Sequence, residues 1–221
     1  MRDTGPRPRK WVLILTLLLG VLTAVLAVTA MQIAERTFAG ISGQVQAAMS
    51  VFTPLISILL VHDVRRVPDA RLGPSLVVST VTAVAVAVFG IAVSAAAVAL
   101  AGPSGANAWG NAGLVALGSV IVQILASFVG TGLGLLLRWK VVAFLATIVF
   151  PPGVFYLLGA FDALRPAQPW LTPFSSFRPL LSGAMTATDW ARWLVIALIW
   201  GLGLNFVGAV RWKASRREEV A

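Results

Sequence analysis

Residues 72–137 read LGPSLVVSTVTAVAVAVFGIAVSAAAVALAGPSGANAWGNAGLVALGSVIVQILASFVGTGLGLLL, 66 residues without one charged side chain. A helix that crosses a bilayer needs about 20 predominantly apolar residues, so this run is too long for one crossing and long enough for two. Its interior supplies the turn, with Ala101, Gly102, Pro103, Ser104 and Gly105 followed by Asn107 and Asn111, the residue types that punctuate regular structure. The stretch therefore resolves into two apolar helices, residues 75–100 and 113–137.

Four more apolar runs flank it. Residues 11–33 carry no charge and follow Arg2, Arg7, Arg9 and Lys10. That run exceeds the core of about 7–15 residues typical of a signal peptide, which predicts a retained helix. Residues 45–61 form a weaker span with Gln46, Ser50, Thr53 and Ser57, and Pro54 removes a backbone donor within it. Residues 141–160 form a fifth run, which Pro151 and Pro152 are expected to break in its outer half. Residues 193–210 form the sixth, closed by Arg211, Trp212 and Lys213. The expected fold is an all-α polytopic membrane protein of six transmembrane helices, a single transmembrane domain over residues 1–221.

Composition agrees. Of the 221 residues, 58% are hydrophobic and 11% are charged, against about 25% charged in an ordinary soluble domain. A soluble enzyme is thereby excluded. With no Cys and a single His, thiol chemistry and a metal cluster are excluded as well. No phosphate-cradling G-x-x-x-x-G-K-[S/T] loop occurs, so the chain carries no ATP site of its own, no cofactor is expected on it and no catalytic residue is visible.

Basic residues accumulate in short cytoplasmic loops. With six spans, 13 of the 17 Lys and Arg fall on the side shared by both termini and four on the other, Arg36, Arg165, Arg178 and Arg192. Both termini are therefore expected in the cytoplasm. The net charge of +9 follows from this segregation and from a basic rim facing anionic lipid, so no nucleic-acid partner is implied. The excess of Arg over Lys, 14 to 3, is that of a GC-rich bacterial genome and points to a bacterial inner membrane.

No ionisable residue lies deep in any span. Such groups mark proton relays and ion pathways where they occur, so their absence argues against ion coupling. The polar residues at depth are Gln123, Asn205 and scattered Ser and Thr. Gln123 and Asn205 are transport-path candidates, but they can equally be hydrogen-bonded between helices, which is the commoner use. Gly130-Thr131-Gly132-Leu133-Gly134 has no preceding strand, so close helix packing is the better account than nucleotide binding. His62 and Asp63 end span two beside Arg65 and Arg66, where a solvated helix end is the expected reading.

Two connections carry information. The cytoplasmic loop HDVRRVPDARLG, residues 62–73, is short and charged, and stands where a cytosolic partner can press. The outer segment, residues 162–189, alternates Pro166, Pro169, Pro173 and Pro179 with Trp170, Phe174, Phe177 and Leu180. A free solvated loop has no use for so many apolar side chains. Short interfacial or re-entrant helices are expected, with their backbone polar groups covered by protein.

Taken together, these features resemble the membrane subunits of ATP-binding-cassette exporters of the type-2 family. The similarity is best over residues 113–221, in the Gly-rich fourth span ending in Gly130-Thr131-Gly132-Leu133-Gly134-Leu135-Leu136-Leu137-Arg138, the Pro151-Pro152 pair, and the Pro- and Trp-rich outer segment running through Leu180-Leu181-Ser182-Gly183 to Trp190. The resemblance implies a six-span subunit that pairs as a homo- or heterodimer with a separate cytosolic ATPase, which holds the ATP. It places Asp63, Arg65, Arg66, Asp69 and Arg71 in the loop that couples to that ATPase, and Trp170 to Leu181 in a re-entrant segment. The short region before span one and the short coupling loop depart from the family's pattern.

The expected function is that of a permease subunit moving an apolar or amphipathic substrate, since the interior offers an ion little to replace its hydration shell. A non-transporting scaffold subunit of a larger complex is the alternative. A small secondary carrier is a third, though no inverted repeat supports it.

Overall fold

The computed structural model describes residues 7–32, 35–65, 72–102 and 107–218. Every regular element among them is helical. The order is α1 (Arg7–Ala30), α2 (Phe38–Val64), α3 (Leu72–Ala101), α4 (Ala112–Leu136), α5 (Lys140–Ala160), a 3₁₀ turn (Arg165–Ala167), α6 (Gln168–Leu171), α7 (Pro173–Ser182), α8 (Ala187–Ile196), a π-helical segment (Ala197–Gly203) and α9 (Leu204–Glu218). The last three form one continuous apolar stretch, so six helices are long and apolar enough to cross a membrane.

The helices arrange around α2. Two thirds of its most apolar stretch is buried, 67%, against 6% for α5 at the periphery. A span that is polar on one face pays for itself only when that face meets another helix, and in α2 that partner is α4. Ser42 stands opposite Ser119, Gln46 opposite Gln123, and Ile58 opposite Gly134. Residue numbers rise together along both helices, so α2 and α4 run parallel, as spans two and four of an up-and-down chain must.

Apolar packing completes the interior. Ile41, Val45 and Met49 of α2 pack with Ala24 and Ala27 of α1 and Val86 of α3. Val122, Leu125 and Val129 of α4 pack with Leu180 of α7, Trp193 and Trp200. The outside is apolar too. Leu18 of α1, Val81 of α3, Val149 of α5 and Leu202 of the last span are all more than half exposed. A water-soluble surface does not carry so much contiguous apolar area, whereas a hydrocarbon-facing one must. The protein is a multi-pass membrane protein.

The structure corrects several expectations. α2 begins at Phe38 rather than residue 45, because Thr37 caps it, its hydroxyl accepting from the Gly40 amide at 3.1 Å. α5 runs unbroken from Lys140 to Ala160 with Pro151 and Pro152 inside it. Proline's fixed φ is compatible with a helix, and a membrane helix accommodates both the amide bonds it cannot donate and the crowding of its ring by local adjustment. His62 is buried, 8% exposed, so the end of α2 is not a solvated tip. The sixth stretch extends over Ala187–Ser215, longer at both ends than residues 193–210.

Candidate functional site

Three features hold the chemistry of this chain, beginning with the polar seam between α2 and α4. Gln123 lies fully buried. Its amide donates to the Gln46 carbonyl at 3.0 Å and to Gln46 Oε1 at 2.9 Å, and its Oε1 accepts from Thr53 at 2.7 Å. Gln46 in turn donates to the Ala87 carbonyl of α3 at 3.0 Å. One turn deeper, Ser57, Ser79 and Ser127 form a triangle of hydroxyls with sides of 2.7, 2.7 and 3.0 Å, joining α2, α3 and α4. Asn205 accepts from Thr131 at 2.7 Å and donates to the carbonyls of Phe128 and Gly201 at 2.8 and 2.6 Å. Gln123 and Asn205 are thus brought into inter-helical hydrogen bonds, and neither lines a cavity described below. Sequence reading left Ser79 and Ser127 among scattered hydroxyls, although Ser119, Gln123 and Ser127 recur at the four-residue spacing that puts them on one helix face.

Glycine lets these backbones meet. On α4, Gly130 and Gly134 face α2, while Gly132 faces α9. A Cβ on Gly130 would stand 2.6 Å from Pro54 Cα, and one on Gly132 would stand 2.8 Å from Leu204 Cδ2. Across that second contact, a Cβ on Gly208 of α9 would stand 3.0 Å from the Gly132 carbonyl. The Gly-Thr-Gly-Leu-Gly stretch is a two-sided packing strip.

The second feature is the basic end. Arg9 at the start of α1 pairs with Asp63 at the end of α2 at 3.4 Å. Arg65 reaches across to α4, donating to the Leu137 carbonyl at 3.2 Å and to that of Leu135. These are terminal carbonyls that α4 has no amides left to satisfy, and a cation there also suits the helix dipole. Burial, then the neighbouring charges of Arg138 and Arg211, hold the Arg65 guanidinium below its ordinary range. Val61, Leu135 and Trp212 close this end with a small apolar cluster. Of the coupling-loop candidates, Asp63 and Arg65 fasten the bundle to itself, while Arg66, Asp69 and Arg71 lie outside the described residues.

The third feature is the hairpin of α6 and α7. Leu171, at its tip, accepts from the Trp200 indole at 2.8 Å, and Trp200 lies halfway along the last apolar stretch. Gln168 donates to the Phe155 carbonyl of α5 at 2.8 Å. Returning from the tip, α7 packs Leu180 against Gly118 of α4 and ends at Gly183, whose positive φ of 69° closes the helix. The predicted re-entrant residues are brought together here. Trp170 lies under the Arg192 guanidinium at 5.7 Å, Phe174 packs on Phe155 at 5.1 Å, Phe177 joins the α4 cluster, and Leu180 is buried.

Beside the hairpin lies a cavity of about 220 Å³ between α2, α4, α5 and α7. Pro54, Pro151, Pro152 and Pro173 all line it, with Phe174 and Phe177 as its aromatic wall. A second, apolar groove runs between α4 and the last stretch beside Phe128, Trp193 and Gly201.

No family model, curated protein or solved structure matches the chain.

Proposed function

We propose that this chain is the permease subunit of an ATP-binding-cassette exporter, paired with a second such subunit and driven by an ATPase on another chain. The observation that carries the reading is the α6–α7 hairpin, whose tip is bonded to Trp200 midway along the last span. In a bilayer that tip sits near the midplane, its backbone covered by α4, α5 and α8, as a re-entrant segment requires. It is the element that the resemblance implies between spans five and six. The basic end then faces the cytoplasm of a bacterial inner membrane, with both termini.

The mechanism is mechanical. The partner ATPase presses on the loop between α2 and α3. Arg65 ties that loop's edge to the end of α4, and the Gly130–Pro54 contact and the serine triangle bind α2 and α4 along their length. The two parallel helices therefore move as one body. Because Leu180 of α7 rests on Gly118 of α4, the displacement reaches the outer hairpin and opens a path there. The cargo is apolar or amphipathic, since among the described residues no Asp, Glu, Lys, Arg or His lies midway along a span to offer an ion a site.

The test is a mild-detergent purification of the tagged protein from its native host, with mass spectrometry of what accompanies it. A stoichiometric P-loop ATPase, lost on charge reversal at Asp69 and Arg71, is the expected result. Arg65 is the wrong probe, because its loss also uncaps α4. A large assembly without an ATPase would replace this reading with that of a scaffold subunit.

A further inference from the structure

Three carbonyls are left without their helical donors around one cavity. A proline cannot donate to the carbonyl four residues before it. Pro54 thus leaves Ser50 without its amide on α2, and Pro151 and Pro152 leave Thr147 and Ile148 on α5. Residues four apart stand on one helix face, and all six of these line the cavity of about 220 Å³. The hydroxyls nearby are already committed. Ser50 donates to the Ala47 carbonyl at 2.8 Å and Thr147 to that of Phe144 at 2.7 Å, leaving only their lone pairs to offer. The other walls, Leu125, Ala126, Val129 and the two Phe rings, carry no side-chain donor. The cavity is therefore largely apolar in its walls and carries hydrogen-bond acceptors whose neighbouring hydroxyl donors are committed elsewhere, a polarity that two separate helices build with three prolines.

We infer that this cavity is a binding site for a small apolar molecule with a hydrogen-bond-donating head, an ammonium or a hydroxyl. Acceptors in an apolar setting are costly to leave unmet, and a donor head meets them while its apolar body fills the aromatic wall. An ammonium would also meet the faces of Phe174 and Phe177. The volume suits a molecule somewhat larger than the benzene held by an apolar cavity of about 150 Å³. The site stands on this chain alone and does not depend on an ATPase partner.

The experiment uses the full chain in lipid nanodiscs and three fluorescent probes of one shape: naphthylmethylamine, naphthylmethanol and methylnaphthalene. Saturable binding over empty nanodiscs is measured by equilibrium dialysis. At least one donor-headed probe is expected to bind about tenfold more tightly than methylnaphthalene, the scale of one hydrogen bond in binding. The amine and alcohol arms decide which head the acceptors prefer. In the double variant P151A/P152A the restored amides take up the carbonyls of Thr147 and Ile148, and the preference falls toward equality while apolar binding persists. Both alanines favour the helix and α5 is peripheral, so folding is not at stake. A126F fills the cavity and abolishes binding of all three probes, with thermal unfolding as the check on its fold. Equal binding of the headless probe, an unchanged preference in P151A/P152A, or undiminished binding to folded A126F would each overturn the proposal. None of these outcomes bears on whether an ATPase co-purifies, so the two readings fail separately.

Discussion

Gly130 of α4 lies against the backbone of Pro54 in α2, so closely that a Cβ added to it would stand 2.5 Å from the Pro54 carbonyl oxygen. What it would meet is backbone, which cannot rotate away. Gly130→Val is expected to destabilise the protein by about 1–3 kcal/mol, the usual penalty of overpacking. Gly134→Ala meets Ile58 Cα at 3.3 Å and should cost less. Reversible unfolding in mixed detergent micelles orders the two variants, and a smaller loss for Gly130→Val than for Gly134→Ala would contradict the packing.

Gln123 bonds three groups on α2. Gln123→Leu is expected to cost about 0.6–2 kcal/mol, because amide bonds between membrane helices are individually modest. A double-mutant cycle with Gln46→Leu isolates their shared bond, and strict additivity of the two losses would show that it contributes nothing.

Arg65 closes α4 from the end of α2. Arg65→Met leaves the carbonyls of Leu135 and Leu137 without their guanidinium donor, and bonds to charged groups are worth about 1.5–3 kcal/mol. Arg65→Lys, with one compact head in place of a fork, should recover only part of that. Hydrogen exchange over residues 133–139 reports the cap directly. Equal protection in wild type and Arg65→Met would show that the cap is idle.

The spans were legible because hydropathy alone separates 20-residue apolar runs from short charged connections, and the predicted third and fourth helices match α3 and α4 within a few residues. The start of α2 was not. Residues 38–44 are rich in Gly, Ser and Gln, which hydropathy scores as a loop, whereas the Thr37 cap and a buried face against α4 make them helix. Pro151 and Pro152 misled in the other direction, since a proline removes donors without forbidding helical φ. The role of Arg65 was illegible for a different reason. Its partners are backbone carbonyls 70 and 72 residues away, and a backbone acceptor has no side-chain signature.

The geometric asymmetry of charge predicts orientation. Ala163 lies exposed at the hairpin end, and Ala214 lies exposed among Arg211 and Lys213 at the basic end. Because the chain holds no Cys, Ala163→Cys and Ala214→Cys each create a unique thiol. A membrane-impermeant maleimide on intact cells is expected to label the first and spare the second until the cells are lysed. The reverse pattern would place the basic end outside, remove the loop between α2 and α3 from the reach of any cytosolic ATPase, and overturn the proposed coupling.

Trp200 holds the hairpin at its tip, and the hold can be removed without emptying the space. Trp200→Phe keeps an aromatic ring against Phe150, which it meets at 5.3 Å, but loses the indole donor to the Leu171 carbonyl. That carbonyl is then a partly buried acceptor without its indole donor, a loss of about 1–3 kcal/mol where water cannot replace it. The penalty should fall on the hairpin and spare the α2–α4 seam, since Gln168 and the Gly118–Leu180 contact still anchor its two arms. Faster amide exchange is therefore expected over residues 168–176 with no change over residues 119–127. Exchange that rose equally in both segments would mean that Trp200 supports the whole bundle. If neither segment changed, the hairpin would be held by its apolar face alone, and the indole bond would be incidental to its depth.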